Sequence, residues 1–137
     1  MRMYSREAAW FSEGFTLIEL LVVMSIIMIL GTLALPQYKH SVLYTREAVL
    51  KEDLFRLRDA IDQFHADKGR YPETLDALVT EGYVRKVPVD PITNSAETWR
   101  TIPAQSNPND PTAAGTYDVI SGSDKTALDG TKYSEWK

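Results

Sequence analysis

From Phe15 to Leu35 the chain runs apolar with a single formal charge, Glu19, and this run limits every fold open to it. A helix rising 1.5 Å per residue over that stretch is about 30 Å long, the thickness of a bilayer's hydrocarbon core. Of the 137 residues, roughly 100 lie beyond the run, enough for one small hydrophobic core and not for two. An apolar rod with a small head is the organisation this imposes. Glu19 is the anomaly. A carboxylate at membrane depth costs about 2.5–3.5 kcal/mol on insertion scales, so it is expected to be paired or functional.

Two commoner uses of such a run fit less well. A secretory signal peptide has a basic start, an apolar core of about 7–15 residues and a small-residue cleavage site. Thr32-Leu33-Ala34 offers that site, with cleavage after Ala34, but the apolar core is too long, and Glu13 and Glu19 stand where basic or neutral residues belong. A plain membrane anchor leaves Glu19 unexplained. Counting positive charges does not orient the run, because Arg2 and Arg6 before it are matched by Lys39, Arg46 and Lys51 beyond it. The net charge is −4 with no basic patch, which argues against nucleic acid as a partner. The absence of cysteine excludes disulfides, thiolate zinc sites and Cys nucleophiles. No Ser/His/Asp or paired-carboxylate arrangement stands out, which points away from an enzyme, and His40 and His65 are isolated.

The sequence Gly14-Phe15-Thr16-Leu17-Ile18-Glu19-Leu20, followed by an apolar helix, resembles the processing motif of type IV pilins and type II secretion pseudopilins. The resemblance implies that residues 1–14 are a leader removed by a prepilin peptidase, which cuts after Gly14 and methylates the new amino terminus at Phe15. Glu19 then matches the glutamate at the fifth mature position, and Pro36 the proline at the twenty-second. The leader departs from the family in having Glu13 where Lys or Arg commonly precedes the glycine. A glycine at the cut lets a protease groove approach the backbone closely. The ammonium freed on Phe15 needs an anion, which the resemblance assigns to Glu19 of a neighbouring subunit or of the same chain. Stranding one member of a desolvated pair costs about 3–5 kcal/mol, so Glu19 reads as a registration device and not a catalyst. Pro36 lacks a backbone donor and disfavours helix at Leu35, which predicts a bend, a loosened turn or simply the helix end there. Gly31 and Thr32 add to that looseness.

Beyond Tyr38 the pattern turns amphipathic. Leu43, Leu50, Leu54, Leu57, Ile61 and Phe64 fall at steps of seven, four, three, four and three, one apolar stripe at helical spacing. Glu47, Lys51, Glu52, Arg56, Arg58, Asp59 and Asp62 are placed mainly on the other faces. Gly69 supplies the stop, and Leu75, Leu78 and Val79 predict a short helix from about Glu73 to Glu81, ended by Gly82. The stripe is expected to dock onto a small sheet, with strands at Glu97 to Ile102 and Thr116 to Ile120 joined by a turn-forming loop at 105–111. The run from Gly69 through Tyr71-Pro72 to Val87-Pro88-Val89-Asp90-Pro91 and Trp99 resembles the middle of the major pseudopilin of type II secretion.

The last segment, Ser121 to Trp136, resembles the carboxyl-terminal loop of that pseudopilin, where a serine, glycine and aspartate start and a closing aromatic frame a calcium site. Calcium wants six to eight oxygen ligands. The resemblance therefore implies calcium held by Asp124 and Asp129, with Ser121, Thr131 and Ser134 as further oxygen donors. Lys125 replaces the family's usual glycine, and the spacing is not that of an EF-hand.

The expected fold is α+β and pilin-like. A long amino-terminal helix with its apolar half protruding carries a small antiparallel sheet head, divided as leader 1–14, transmembrane and filament-core helix 15–36, and amphipathic helix with head 37–137. The resemblance implies a structural subunit of a type II secretion pseudopilus, single-pass in the bacterial inner membrane with its head in the periplasm before assembly. Its implied partners are copies of itself in a filament, minor pseudopilins, the prepilin peptidase, an inner-membrane assembly platform and membrane lipid. A type IV pilin for adhesion, motility or DNA uptake is the alternative, disfavoured by the lack of cysteine.

Overall fold

The computed structural model describes residues 14–105 and 114–137. The expected leader, apart from Gly14, and the loop at 105–111 from residue 106 onward lie outside the described residues. In chain order the elements are α1 (Leu17–Lys68), α2 (Leu75–Thr80), β1 (Arg100–Pro103), β2 (Thr116–Ile120) and a final 3-10 turn, Tyr133–Glu135. The chain divides into an amino-terminal unit ending at Lys39 and a head unit, His40–Lys137.

In the amino-terminal unit every large apolar side chain from Leu17 to Leu35 is exposed. That surface is far more than a water-soluble monomer tolerates, and the helix is long and apolar enough to cross a membrane. Its hydroxyls are satisfied within the helix: Ser25 donates to the Leu21 carbonyl and Thr32 to the Ile29 carbonyl, both at 2.7 Å. Such back-bonding lowers the penalty of a hydroxyl in lipid. Helix α1 is continuous through Pro36. The proline has no N–H to offer the carbonyl four residues earlier, that of Thr32, so one backbone bond is lost there without ending the helix.

In the head unit the apolar stripe of α1 is the core: Leu50, Leu54, Leu57, Ile61 and Phe64 are all at most 2% exposed. They cluster with Leu78 of α2, Ile92, Trp99, Val119 of β2, Ala127 and Tyr133. Each buried Leu, Ile, Val or Phe among them contributes about 1.5–3 kcal/mol of transfer free energy. The stripe meets the sheet through Val119, and loops cover most of the rest. Gly69 ends α1 with φ of 69°, the left-handed cap, its N–H bonding the His65 carbonyl at 2.9 Å. The short helix starts two residues later than expected, because the Thr74 hydroxyl accepts from the Ala77 amide and so caps it.

The sheet is a two-stranded antiparallel ladder pairing Arg100 with Ile120 and Thr101 with Val119. Strand β2 matches the expected limits. Strand β1 begins at Arg100 and not at Glu97, because the residues before it are bound to a preceding turn. Asp90 and Ser95 form an isolated bridge, the Thr98 and Thr93 hydroxyls lie 2.5 Å apart, and Trp99 Nε1 donates to the Pro88 carbonyl at 2.8 Å. Tyr71-Pro72 also has a tertiary role: the Thr116 amide donates to the Pro72 carbonyl at 2.7 Å. Gly115 makes this approach possible, since a Cβ there would lie 2.8 Å from the Tyr71 backbone oxygen.

Candidate functional site

The amino-terminal site is a reciprocal helix cap. Thr16 precedes the first helical residue, Leu17, and its Oγ1 accepts from the Glu19 amide at 3.2 Å. Glu19 Oε2 in turn accepts from the Thr16 amide at 3.4 Å. This is a capping box, in which two otherwise orphaned backbone donors are satisfied by the pair of side chains. It gives the threonine and the glutamate of the motif one shared physical reason. The carboxylate also sits at the positive end of the helix dipole, where an anion is stabilised by about 0.3–1 kcal/mol. Gly14 and Phe15 lie outside the helix and are exposed, Phe15 at 83%. Pro36 lies within the helix and exposed, away from this cap.

The second candidate is the carboxyl-terminal loop, where the structure separates the expected calcium donors into three groups. Asp124 is exposed and forked onto Arg100 of β1, with contacts of 3.1 and 2.9 Å. The guanidinium, with lesser help from the Ser134 hydroxyl, holds the Asp124 carboxyl below the usual carboxylate range. Asp129 caps its own turn, its Oδ1 accepting from the Thr131 amide at 2.9 Å and the Thr131 hydroxyl at 2.5 Å. Those two bonds likewise hold its carboxyl low. Ser121 is fully buried and donates to Asp90 Oδ2 at 2.6 Å. Thus Asp124 meets Arg100 and Asp129 meets Thr131, while Ser121 is committed to Asp90. Among the described residues no three His, Cys, Asp or Glu side chains converge as a metal site. A calcium cage takes six to eight oxygens, whereas here Asp124, Asp129 and Ser121 are each committed to a different protein partner.

What organises the loop instead comes largely from outside it. Glu47 of α1 is buried, and its Oε1 accepts from the Leu128 amide and the Tyr133 hydroxyl, both at 2.8 Å. Burial and this bond push the Tyr133 phenol well above its ordinary value. Arg58 of α1 bonds Asp118 Oδ1 at 2.7 Å, the Val119 carbonyl at 3.0 Å and the Trp136 carbonyl at 2.8 Å. Asp90, also fully buried, accepts from the Ile92 amide at 2.8 Å and the Thr93 amide at 3.3 Å besides Ser121. Placing Glu47 and Arg58 on outer faces is therefore corrected. The signal was present: the seven-residue step from Leu43 to Leu50 has its missing stripe position at Glu47. Asp90 carried only the local cue of a turn before Pro91.

Comparison with known proteins follows the same two ends. Residues 12–35 match the family model described as the prokaryotic N-terminal methylation motif. The chain is 33% identical over 131 residues to the type II secretion system core protein G of Pseudomonas aeruginosa, covering 84% of this chain and 91% of that protein. It is 29% identical over 125 residues to the protein of the same name in Escherichia coli K12, covering 80% and 79%. The corresponding protein of Aeromonas hydrophila is 33% identical over 95 residues, 58% of this chain and 66% of that one. No solved structure matches significantly. A methylation motif on a capped, membrane-length helix, with similarity running through most of the head, places the chain in the type II secretion core protein G family, the major pseudopilins.

Proposed function

We propose that the chain acts as follows: cleavage between Gly14 and Phe15, methylation of Phe15, residence as a single-pass inner-membrane protein with a periplasmic head, then addition to the base of a filament. As a major pseudopilin it is a structural subunit of the type II secretion pseudopilus, and its mechanism is mechanical. Copies of the apolar helix form the filament core, and growth against the outer-membrane channel pushes exported proteins. Minor pseudopilins, the assembly platform and the prepilin peptidase are the partners this route requires.

The observation that carries the reading is the Thr16–Glu19 cap. In the bilayer the Glu19 carboxylate is partly neutralised by its own helix start, so the charge is bearable there. Cleavage creates an ammonium at Phe15, one residue before the cap. That cation offers Glu19, in the same chain or a neighbour, a stronger partner than an amide does. The exchange favours the assembled state and sets the axial register of each added subunit.

The test is to express the chain with a prepilin peptidase and a type II assembly machinery. Mass spectrometry is expected to show a mature chain starting at N-methylated Phe15; a first residue at Leu35 would mean signal-peptide cleavage instead. Glu19→Ala is expected to insert in the membrane yet assemble poorly, and a normal filament yield would refute the register role.

A further inference from the structure

We propose that the carboxyl-terminal loop of this chain closes on a carboxylate supplied by α1, Glu47, and needs no calcium ion. The argument is one of polarity. A loop that wraps a cation turns oxygens inward. Here the loop turns donors inward: the Leu128 N–H and the Tyr133 hydroxyl both point at Glu47 Oε1. Ala127 and Tyr133 flank that contact as part of the apolar core, 7% and 1% exposed, so the centre of the loop is occupied by protein.

Several of the loop's outward acceptors are taken by cations belonging to the chain. Arg100 takes both oxygens of Asp124 and the Gly122 carbonyl at 3.2 Å. Arg58 takes the Val119 and Trp136 carbonyls, closing the segment at both ends. The first residue of the loop, Ser121, is held by Asp90. Lys51 completes the closure by lying 4.8 Å above the Trp136 ring, whose Nε1 donates to Thr131 Oγ1 at 2.7 Å. Asp124, Asp129, Ser121 and Thr131 thus each have a protein partner.

Hydrogen exchange on the full chain in detergent micelles tests this, comparing strong chelator with calcium at about 10 mM, above the weakest dissociation constants of extracellular calcium modules. The wild-type protein is expected to protect residues 121–136 equally in both. Glu47→Ala is expected to speed exchange of the Leu128 amide at least about tenfold in either condition. Glu47→Gln, which keeps an acceptor oxygen and a similar shape, is expected to give a smaller rise and guards against Glu47→Ala failing to fold. Slower wild-type exchange in calcium would overturn the proposal. So would Leu128 protection that survives in both variants. These outcomes are read on the loop alone and do not depend on filament assembly.

Discussion

Replacing Arg58 with methionine tests the main tie between α1 and the end of the chain. The guanidinium makes three charge-assisted bonds, to Asp118, Val119 and Trp136, from a side chain 25% exposed, with Asp118 at 19%. Hydrogen bonds to charged groups are worth about 1.5–3 kcal/mol each, but three on one side chain are not additive. Losing a partner in a fully buried pair costs about 3–5 kcal/mol, and residual exposure at both ends reduces that. Methionine keeps much of the aliphatic packing, so the expected loss is about 2–4 kcal/mol. A head of this size has a total stability of roughly 5–15 kcal/mol and loses about 4–8 °C of Tm per kcal/mol. The variant should therefore melt roughly 8–32 °C lower. Denaturation of the full chain in micelles, followed by near-ultraviolet circular dichroism, reads this out. A double-mutant cycle with Asp118→Asn should give a coupling of at least about 1 kcal/mol. A loss below about 0.5 kcal/mol for Arg58→Met, or no coupling, would show that the three contacts do not hold the head together.

Other perturbations follow from single contacts. Gly122→Ala would drive a Cβ into the Thr98 carbonyl oxygen, a backbone atom that cannot swing aside, so it should cost about 3 kcal/mol or more and lower the Tm accordingly; an unchanged melting curve would contradict the tight approach. Asp90→Ala strands the Ile92 and Thr93 amides and the Ser121 hydroxyl and should cost about 3 kcal/mol. Asp90→Asn, which can still serve the amides and offer its NH2 to Ser121, should lose roughly half as much in the same denaturation assay. The raised pKa of Tyr133 means the folded head keeps this phenol protonated where the unfolded chain ionises. Its contribution is complete below the unfolded value of 10.0 and is lost as pH rises toward the folded value. Unfolding free energies measured from pH 8 to 11.5 should therefore fall above about pH 10. The fall should be shallower in Tyr133→Phe, and equal slopes would remove Tyr133 as its source.

The contrast between the two ends of the molecule shows what the sequence could decide. Phe15 to Leu35 is legible because its constraint is local, length against a bilayer, whereas the Thr16–Glu19 cap shows only in the structure, since the sequence offers Glu19 simply as a charge in need of a partner. The stripe from Leu50 to Phe64, the stop at Gly69 and strand β2 are legible for the same reason, since period and capping act over a few residues. Tertiary structure decided the rest. Glu47 looked like a surface charge because nothing nearby in sequence says that Leu128 and Tyr133, 81 and 86 residues away, will bring it donors. Arg58 is the same case, with partners in β2 and at Trp136, and so is the bond from Ser121 to Asp90. Strand β1 lost its first three expected residues to a turn whose bonds reach back to Pro88. Asp124 and Asp129 carry the right chemistry for calcium, yet a ligand set depends on convergence, and the folded loop sends each to a different protein partner. Short-range geometry wrote the anchor into the chain, whereas the polarity of the final loop was fixed only when α1 placed a carboxylate inside it.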